Sequence, residues 1–401
     1  MKAVGLIVEY NPLHNGHLHH IEQARLKSNA EIVVAIMSGN FLQRGEPAIV
    51  DKFTRAKMAL KQQIDLVFEL PTVYAIQHSD LFAYGAIRIL DALHVDQVIF
   101  GSEQGEINSF THVIQLIDQN RPLYDAELQK QLNQGHSYPM ANKFALKALS
   151  SDCLPDLTMP NNILGLSYLK AQQQINSELK IDTIKRIQAD YHQSELSYPI
   201  TSATSIRNQI TDSLIGQTSA SLAMPLSSFQ LLKDYWQTAE SFHNWELYFP
   251  LLKYRILSDS VDQLRAIHGM TEGLEYRLKK MIHSSHTFVE FLNKIQTKRY
   301  TKTRLQRLFV HLLLQLTKED MQHQLERVDQ IDEVRLLAMS KNGQAYLNHL
   351  KQSSDLKIVS QLSRNLSDRM MIDEKAAVIY YLPLKSEAQS ILRQQEFKPP
   401  F

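Results

Sequence analysis

Two histidines, His14 and His17, flank Gly16 just after the first strand-like run of the chain and just before a helical stretch. The segment Tyr10-Asn11-Pro12-Leu13-His14-Asn15-Gly16-His17 therefore joins the carboxyl end of a strand to the start of a helix. Unpaired N–H groups and the positive end of the helix dipole make such a junction a natural phosphate site. Gly16 leaves the backbone open to a ligand, and imidazole donors converging there would stabilise charge that develops in a transition state. Much later, Thr201-Ser202-Ala203-Thr204-Ser205-Ile206-Arg207 sets hydroxyls at another helix start with a cation in its first turn, the makings of a second phosphate clamp. Each run has a plain structural reading when taken alone, as a surface or core histidine pair and as an ordinary capped helix. His19 and His20 extend the histidine run, but no carboxylate or cysteine cluster and no H-E-x-x-H helix accompanies them, so no protein-held metal is expected. The chain also lacks G-x-x-x-x-G-K-[ST] and G-x-G-x-x-G, which removes the P-loop and dinucleotide readings.

These residues need a frame, and the first hundred residues supply one. Strand patterns at 3–9, 31–36, 65–69 and 97–100 alternate with helical patterns at 17–27, 52–62 and 79–93, the signature of a parallel sheet with crossover helices. Residues 106–150 break that rhythm and read as a helical insertion. A helix that Asn161 or Asn162 would cap runs to 174, a strand returns at 181–187, and a short helix at 205–213 closes the sheet domain. Beyond about residue 219 the periodicity is helical, with few strand signals before 378–382. The expected fold is α/β: a Rossmann-like parallel-sheet domain over 1–215, then a mainly helical domain over 216–401.

Composition agrees with an ordinary globular protein. The 401 residues are 44% hydrophobic and 21% charged, with only 13 Gly and 13 Pro, which excludes disordered and fibrous classes. Charge is balanced overall but not along the chain: residues 1–215 carry 18 basic and 22 acidic side chains, the remainder 25 and 20. The second half is thus the better candidate for meeting an anion. A lone cysteine, Cys153, permits no intramolecular disulfide, the first apolar run is too short for a signal peptide, and no segment reaches a membrane span. A cytoplasmic protein is the expectation.

With both signatures present, the chain resembles the HIGH-type nucleotidyltransferase superfamily. The resemblance narrows through Gly5 to His17, then Met37-Ser38-Gly39-Asn40-Phe41-Leu42-Gln43-Arg44-Gly45-Glu46-Pro47, Phe100-Gly101-Ser102-Glu103, Pro160-Asn161-Asn162-Ile163-Leu164-Gly165, Ser202 to Arg207, and Thr297-Lys298-Arg299-Tyr300-Thr301-Lys302. Together these are similar to the bacterial tRNA(Met) cytidine acetate ligase family; residues after about 320 carry no matching motif. The resemblance implies activation of acetate by ATP to acetyl-adenylate and pyrophosphate, then acetyl transfer to N4 of the wobble cytidine of elongator tRNA(Met). It implies that His14, His17, Ser205 and Arg207 grip the triphosphate. It also implies an ATP site lined by Leu6, Ile7, Val8, Glu9, Tyr10, Asn11, Pro12, Leu13, Asn15, Gly16, Leu18 and His20, completed by Gly101, Asn162, Arg186 and Ile187. The bare glycine at 101 would leave room for adenine. Mg²⁺ is expected to be held through the nucleotide.

Acetate is a poor acyl donor and the cytosine amino group a weak nucleophile, so an activated donor is needed, while no covalent enzyme nucleophile is. Asn40, Gln43 and Arg44 of the polar 39–46 loop are candidates to orient a carboxylate or the incoming base. Between Asn293 and Arg307 lie six cations and no acid: Lys294, Lys298, Arg299, Lys302, Arg304 and Arg307. Such a stripe suits a phosphate backbone, with Tyr300 placed to stack on a base, and Lys298, Arg299, Lys302, Arg304 and Arg307 are the tRNA-binding candidates. The competing readings are a small-molecule adenylyltransferase of the same superfamily, which has little use for a long basic helical half, and a non-catalytic RNA-binding protein, which has no use for intact nucleotide signatures.

Overall fold

The computed structural model describes residues 1–136, 138–150, 154–187, 202–212, 219–351 and 353–400; Cys153 and Thr201 lie outside them. Among the described residues, seven strands form one sheet: β1 (Ala3–Val8), β2 (Ile32–Ser38), β3 (Leu66–Leu70), β4 (Gln97–Ser102), β5 (Lys180–Lys185), β6 (Glu333–Met339) and β7 (Lys357–Val359), in the order β5-β4-β1-β2-β3-β6-β7. The first five are parallel, with β1 between β2 and β4. All seven residues of β2 are buried, as expected of a parallel sheet covered on both faces, whose strands read as continuous apolar runs. Helix Pro160–Gln174 lies so close to β4 that a Cβ on Gly165 would sit 2.3 Å from the Phe100 ring.

Residues 107–149 form three helices, Ile107–Gln119, Arg121–Asn133 and Tyr138–Leu149. The later helices, among them Leu226–Ala239, Trp245–Ser258, Phe288–Ile295 and Lys302–Leu313, share an aromatic core in which Trp245 stacks on Phe288 at 4.8 Å between ring centroids. Among the described residues, no helix is long and apolar enough to cross a membrane.

Three expectations require correction. β6 and β7 come from the half read as helical, and β6 runs antiparallel to β3 with Val67 opposite Ala338. The β-branched and aromatic residues near 378–382 belong instead to helix Asp368–Tyr381, which Ser367 starts by accepting the Met370 N–H. Helix Pro160–Gln174 begins at a proline, before Asn161 and Asn162, so neither asparagine is its cap.

Two buried cations hold the loops at the sheet's carboxyl edge. Lys52 pairs with Glu69 at 2.8 Å and with Glu396, from the far end of the chain, at 2.9 Å. Arg55, fully buried, donates to the carbonyls of Glu9 at 2.7 Å, Ser38 at 3.0 Å and Val50 at 3.2 Å, and to that of Gly39. The strand ends that leave β1 and β2 are thereby fixed by one guanidinium.

Candidate active site

After β1 the chain turns sharply, with Tyr10 at φ +48°, a left-handed conformation that costs an ordinary residue roughly 1–2 kcal/mol and persists where packing enforces it. The turn delivers His14 to the N-cap of helix Asn15–Ser28. There the two histidines replace the usual hydroxyl and carboxylate of a capping box. The Gly16 N–H donates to His14 Nδ1 at 3.0 Å, and the His14 N–H donates to His17 Nδ1 at 3.3 Å. A ring nitrogen that accepts carries no proton, so the proton of each neutral ring sits on Nε2. Burial, with Arg186 and Arg207 nearby, pulls His14 down to about 3. His17, stacked on it at 3.8 Å between centroids, falls well below its ordinary value through burial and the charge of His14. Both are neutral at pH 7 and present fixed Nε2–H donors. His20 donates its own Nε2–H to the Ile99 carbonyl at 2.9 Å and is lowered by burial to about 4.

His14, Gly16, His17, His20, Gly101, Arg186 and Ile187 line one cavity of about 230 Å³ at the carboxyl edge of β1, β4 and β5. His19, Glu103, Met159, Ile184, Lys185 and Ser202 complete its wall; His19, Glu103 and Ser202 stand in the runs quoted from the sequence, whereas no type or spacing marks Met159, Ile184 or Lys185. Ser202, rather than Ser205, reaches it; the Ser205 N–H donates to Ser202 Oγ at 3.1 Å. Arg207 donates to the Asn11 carbonyl at 2.9 Å and pairs with Glu46 at 3.5 Å, so it clamps the histidine turn from across the site. Leu6, Val8 and Leu13 are buried in the core, Ile7 packs against it, and Tyr10, Asn11, Pro12 and Asn15 are buried within the turn. Leu18 is half-buried on the helix.

Arg186 changes the reading of Gly101. A Cβ there would lie 3.1 Å from the Arg186 Cγ, so the space over the glycine holds the arginine stem. Asn162 is fully engaged: its Oδ1 accepts from the Gln104 N–H at 3.1 Å and its Nδ2 donates to the Asp156 carbonyl at 3.1 Å. Glu103 supplies the cap that the asparagines were expected to give, accepting the Asn162 N–H at 2.9 Å and the Asn161 side-chain amide at 2.6 Å. Its contact spans 59 residues, so no local pattern announces it.

The 39–47 loop closes the other flank. Asn40 Oδ1 accepts the Lys52 N–H at 2.9 Å, and the Gln43 side chain donates to the Gln77 carbonyl at 2.8 Å, whereas Arg44 is exposed at the tip. The helical half grips this loop: Trp245 Nε1 donates to the Gly45 carbonyl at 2.9 Å, and Arg307 donates to the Gln77 carbonyl at 3.1 Å and the Gln43 carbonyl at 3.5 Å. Arg307, pulled down to about 10 by burial, thus stands apart from the basic stripe. Lys294 is engaged as well, with Glu290 at 2.5 Å. Lys298, Arg299 and Lys302 are exposed, and the guanidiniums of Arg299 and Arg304 lie 5.5 and 5.4 Å from the Tyr300 ring centre. Among the described residues, no group of three or more His, Cys, Asp or Glu is placed to hold a metal ion.

The family model of the HIGH Nucleotidyl Transferase matches residues 1–395. A curated relative from Geobacillus sp. (strain WCH70), a tRNA(Met) cytidine acetate ligase, is 43% identical over 100% of this chain and 99% of its own length. The protein of that name from Bacillus subtilis (strain 168) is 41% identical over 99% of this chain and 96% of its own. The chain belongs to the tRNA(Met) cytidine acetate ligase family of HIGH nucleotidyl transferases. Its fold matches the crystal structure of Thermotoga maritima TmcAL bound with alpha-thio ATP at a TM-score of 0.88, with 30% identity over 100% of this chain and 99% of that one. The histidine turn and the Arg207 clamp thus lie in a ligase-family fold of which one solved member holds an ATP analogue.

Proposed function

We propose that this chain activates acetate with ATP and passes the acetyl group to N4 of the wobble cytidine of elongator tRNA(Met). The observation that carries the reading is the pair of locked Nε2–H donors on His14 and His17, facing one cavity with Arg186 while Arg207 braces their turn. An acetate oxygen attacks the α-phosphorus of ATP and pyrophosphate leaves. The neutral imidazoles donate to phosphate oxygens as charge builds, with no proton to gain or lose. Cationic Arg186 and Arg207 offset the remaining charge, and donors fixed in advance need no reorganisation at the moment of reaction. Among the carboxylates beside the turn, Glu46 faces Arg207 and Glu103 caps a helix, a donor set that fits Mg²⁺ carried in on the nucleotide's phosphates. The metal would neutralise phosphate charge there.

In the second step, N4 attacks the acetyl carbon and AMP leaves. Residues 1–215 would hold the adenylate, and residues 216–401 would place the anticodon loop over it through Lys298, Arg299, Lys302 and Arg304. An anticodon loop is single-stranded, so its base can be turned into the site at modest unstacking cost. Incubation with ATP, radiolabelled acetate and bulk bacterial tRNA, followed by nucleoside analysis, tests this. Label in N4-acetylcytidine is the expected result, and its absence in the presence of all three substrates overturns the proposal.

A further inference from the structure

Acetyl transfer to an exocyclic amine leaves a proton on nitrogen that has to go somewhere. The two signature histidines cannot take it, because each Nδ1 accepts a backbone N–H and each Nε2 already carries a proton. Among the described residues, Glu46, Glu103 and Glu9 are carboxylates that stand around the histidine turn. Glu46 pairs with Arg207, and both oxygens of Glu103 accept hydrogen bonds from Asn161 and Asn162. Glu9, the residue directly after β1, differs. Its Oε1 is fixed by the Gln43 N–H at 2.8 Å and by Ser38 Oγ at 3.4 Å, while Oε2 has no hydrogen-bond partner among the described residues. Its own carbonyl is held by Arg55 at 2.7 Å. Glu9 follows β1 directly and precedes the turn that carries His14 and His17 to the cavity wall, which puts this unpartnered oxygen beside the site where the base must enter.

We propose that Glu9 accepts the N4 proton of cytidine during acetyl transfer. N4 bonds to the acetyl carbon, the bond from that carbon to the adenylate oxygen breaks and releases AMP, and the N4 proton passes to Glu9 Oε2. The inference rests on the proposed function, of which it specifies the second step. Burial raises the Glu9 carboxyl above its ordinary value, towards the range where a carboxylate is a useful base. The charged and titratable groups that face it are Arg44 and Glu46 of the loop, Arg55 of helix Lys52–Lys61, Arg207 of helix Ala203–Asp212 and Tyr168 of helix Pro160–Gln174.

The test separates the two steps. Enzyme is loaded with ATP and radiolabelled acetate, the enzyme-bound adenylate is isolated by rapid gel filtration and counted, and excess tRNA is then added. Acetylcytidine formation per loaded adenylate is followed from about pH 5 to 9. The wild type should show a rate that rises with pH through the Glu9 ionisation and then levels. Glu9→Gln should slow transfer per loaded adenylate by roughly 10²–10⁴-fold and lose the rising limb, and Glu9→Asp should keep the limb at reduced height. If Glu9→Gln loads too little adenylate to follow, the limb in Glu9→Asp decides alone: one unchanged in position and height overturns the inference. So does a wild-type limb in Glu9→Gln, or a limb lost in His19→Ala and kept in Glu9→Gln. A wild type that loads no adenylate defeats the activation step itself, a failure distinct from these.

Discussion

Arg207 donates to the main-chain carbonyl of Asn11 at 2.9 Å, joining the second signature to the first through backbone rather than through a shared ligand alone. Arg207→Ala therefore removes the brace on the histidine turn and, on the proposed function, a charge that offsets the phosphates. Acetate-dependent ATP–pyrophosphate exchange should fall roughly a hundred to a thousandfold, the loss usual for one transition-state donor. Arg207→Lys should recover little, since one ammonium cannot hold the carbonyl and a phosphate in the same planar fork. Exchange within tenfold of wild type in the alanine variant would remove Arg207 from the activation step.

The buried histidines set an acid limit on stability. His14, His243 and His311 are each lowered by burial to about 3, and His20 to about 4. An unfolded chain takes up these protons near pH 6.5 and the folded one does not, so stability is full above that value and declines as pH falls toward the folded values. Each pH unit in that window costs about 1.4 kcal/mol for each histidine still unprotonated in the fold. Melting temperature should fall steadily from about pH 6.5 to 4, and His243→Gln should flatten the slope. A melting temperature constant over that range would contradict it.

Gly45 has φ +72°, and a Cβ built on it would meet the Arg307 backbone nitrogen at 2.2 Å. The contact is with main chain, so no side-chain rotation relieves it. Gly45→Ala should cost at least about 2 kcal/mol and push the 39–47 loop away from helix Lys302–Leu313. Thermal unfolding reads the first effect. The second should appear as a higher KM for tRNA in the fraction that folds.

Lys298, Arg299, Lys302 and Arg304 changed together to Ala should weaken tRNA binding and flatten its salt dependence, each lost phosphate contact removing about 0.7–0.9 from the slope of log affinity against log salt. Acetyl-adenylate formation without tRNA should persist. Unchanged acetylcytidine yield at subsaturating tRNA and physiological salt would mark the stripe as a solvated face. Arg307 is best left intact here, because its guanidinium serves the loop carbonyls.

What the sequence disclosed follows from how locally each feature is encoded. β1 to β4 were legible because a strand buried on both faces is an unbroken apolar run, and His14 and His17 because strand, turn and helix are contiguous. β6 was missed because Arg335 interrupts its apolar run; only the fold shows that the guanidinium is buried and donates to the Glu396 carbonyl at 2.7 Å. β7, with three residues, is too short to carry a period. Glu103, Arg55 and Glu9 gained their roles from partners that folding brings together. Gly101 lines the cavity, but an absent side chain could not say that the Arg186 stem would lie over it.

The antiparallel pairing of β6 with β3 bears on how this protein can be divided for expression. A fragment ending at residue 215 keeps the whole histidine turn yet loses β6, which leaves Leu66–Leu70, buried at every position, with a bare row of N–H and C=O groups along one side. Such an edge is a template for joining a second copy, and an apolar one invites aggregation. The same cut deprives Lys52 of Glu396 and Asp65 of the Ser340 N–H and hydroxyl. The fragment should be recovered in inclusion bodies, and the ATP site should be obtained soluble only when the strand from the other half is supplied.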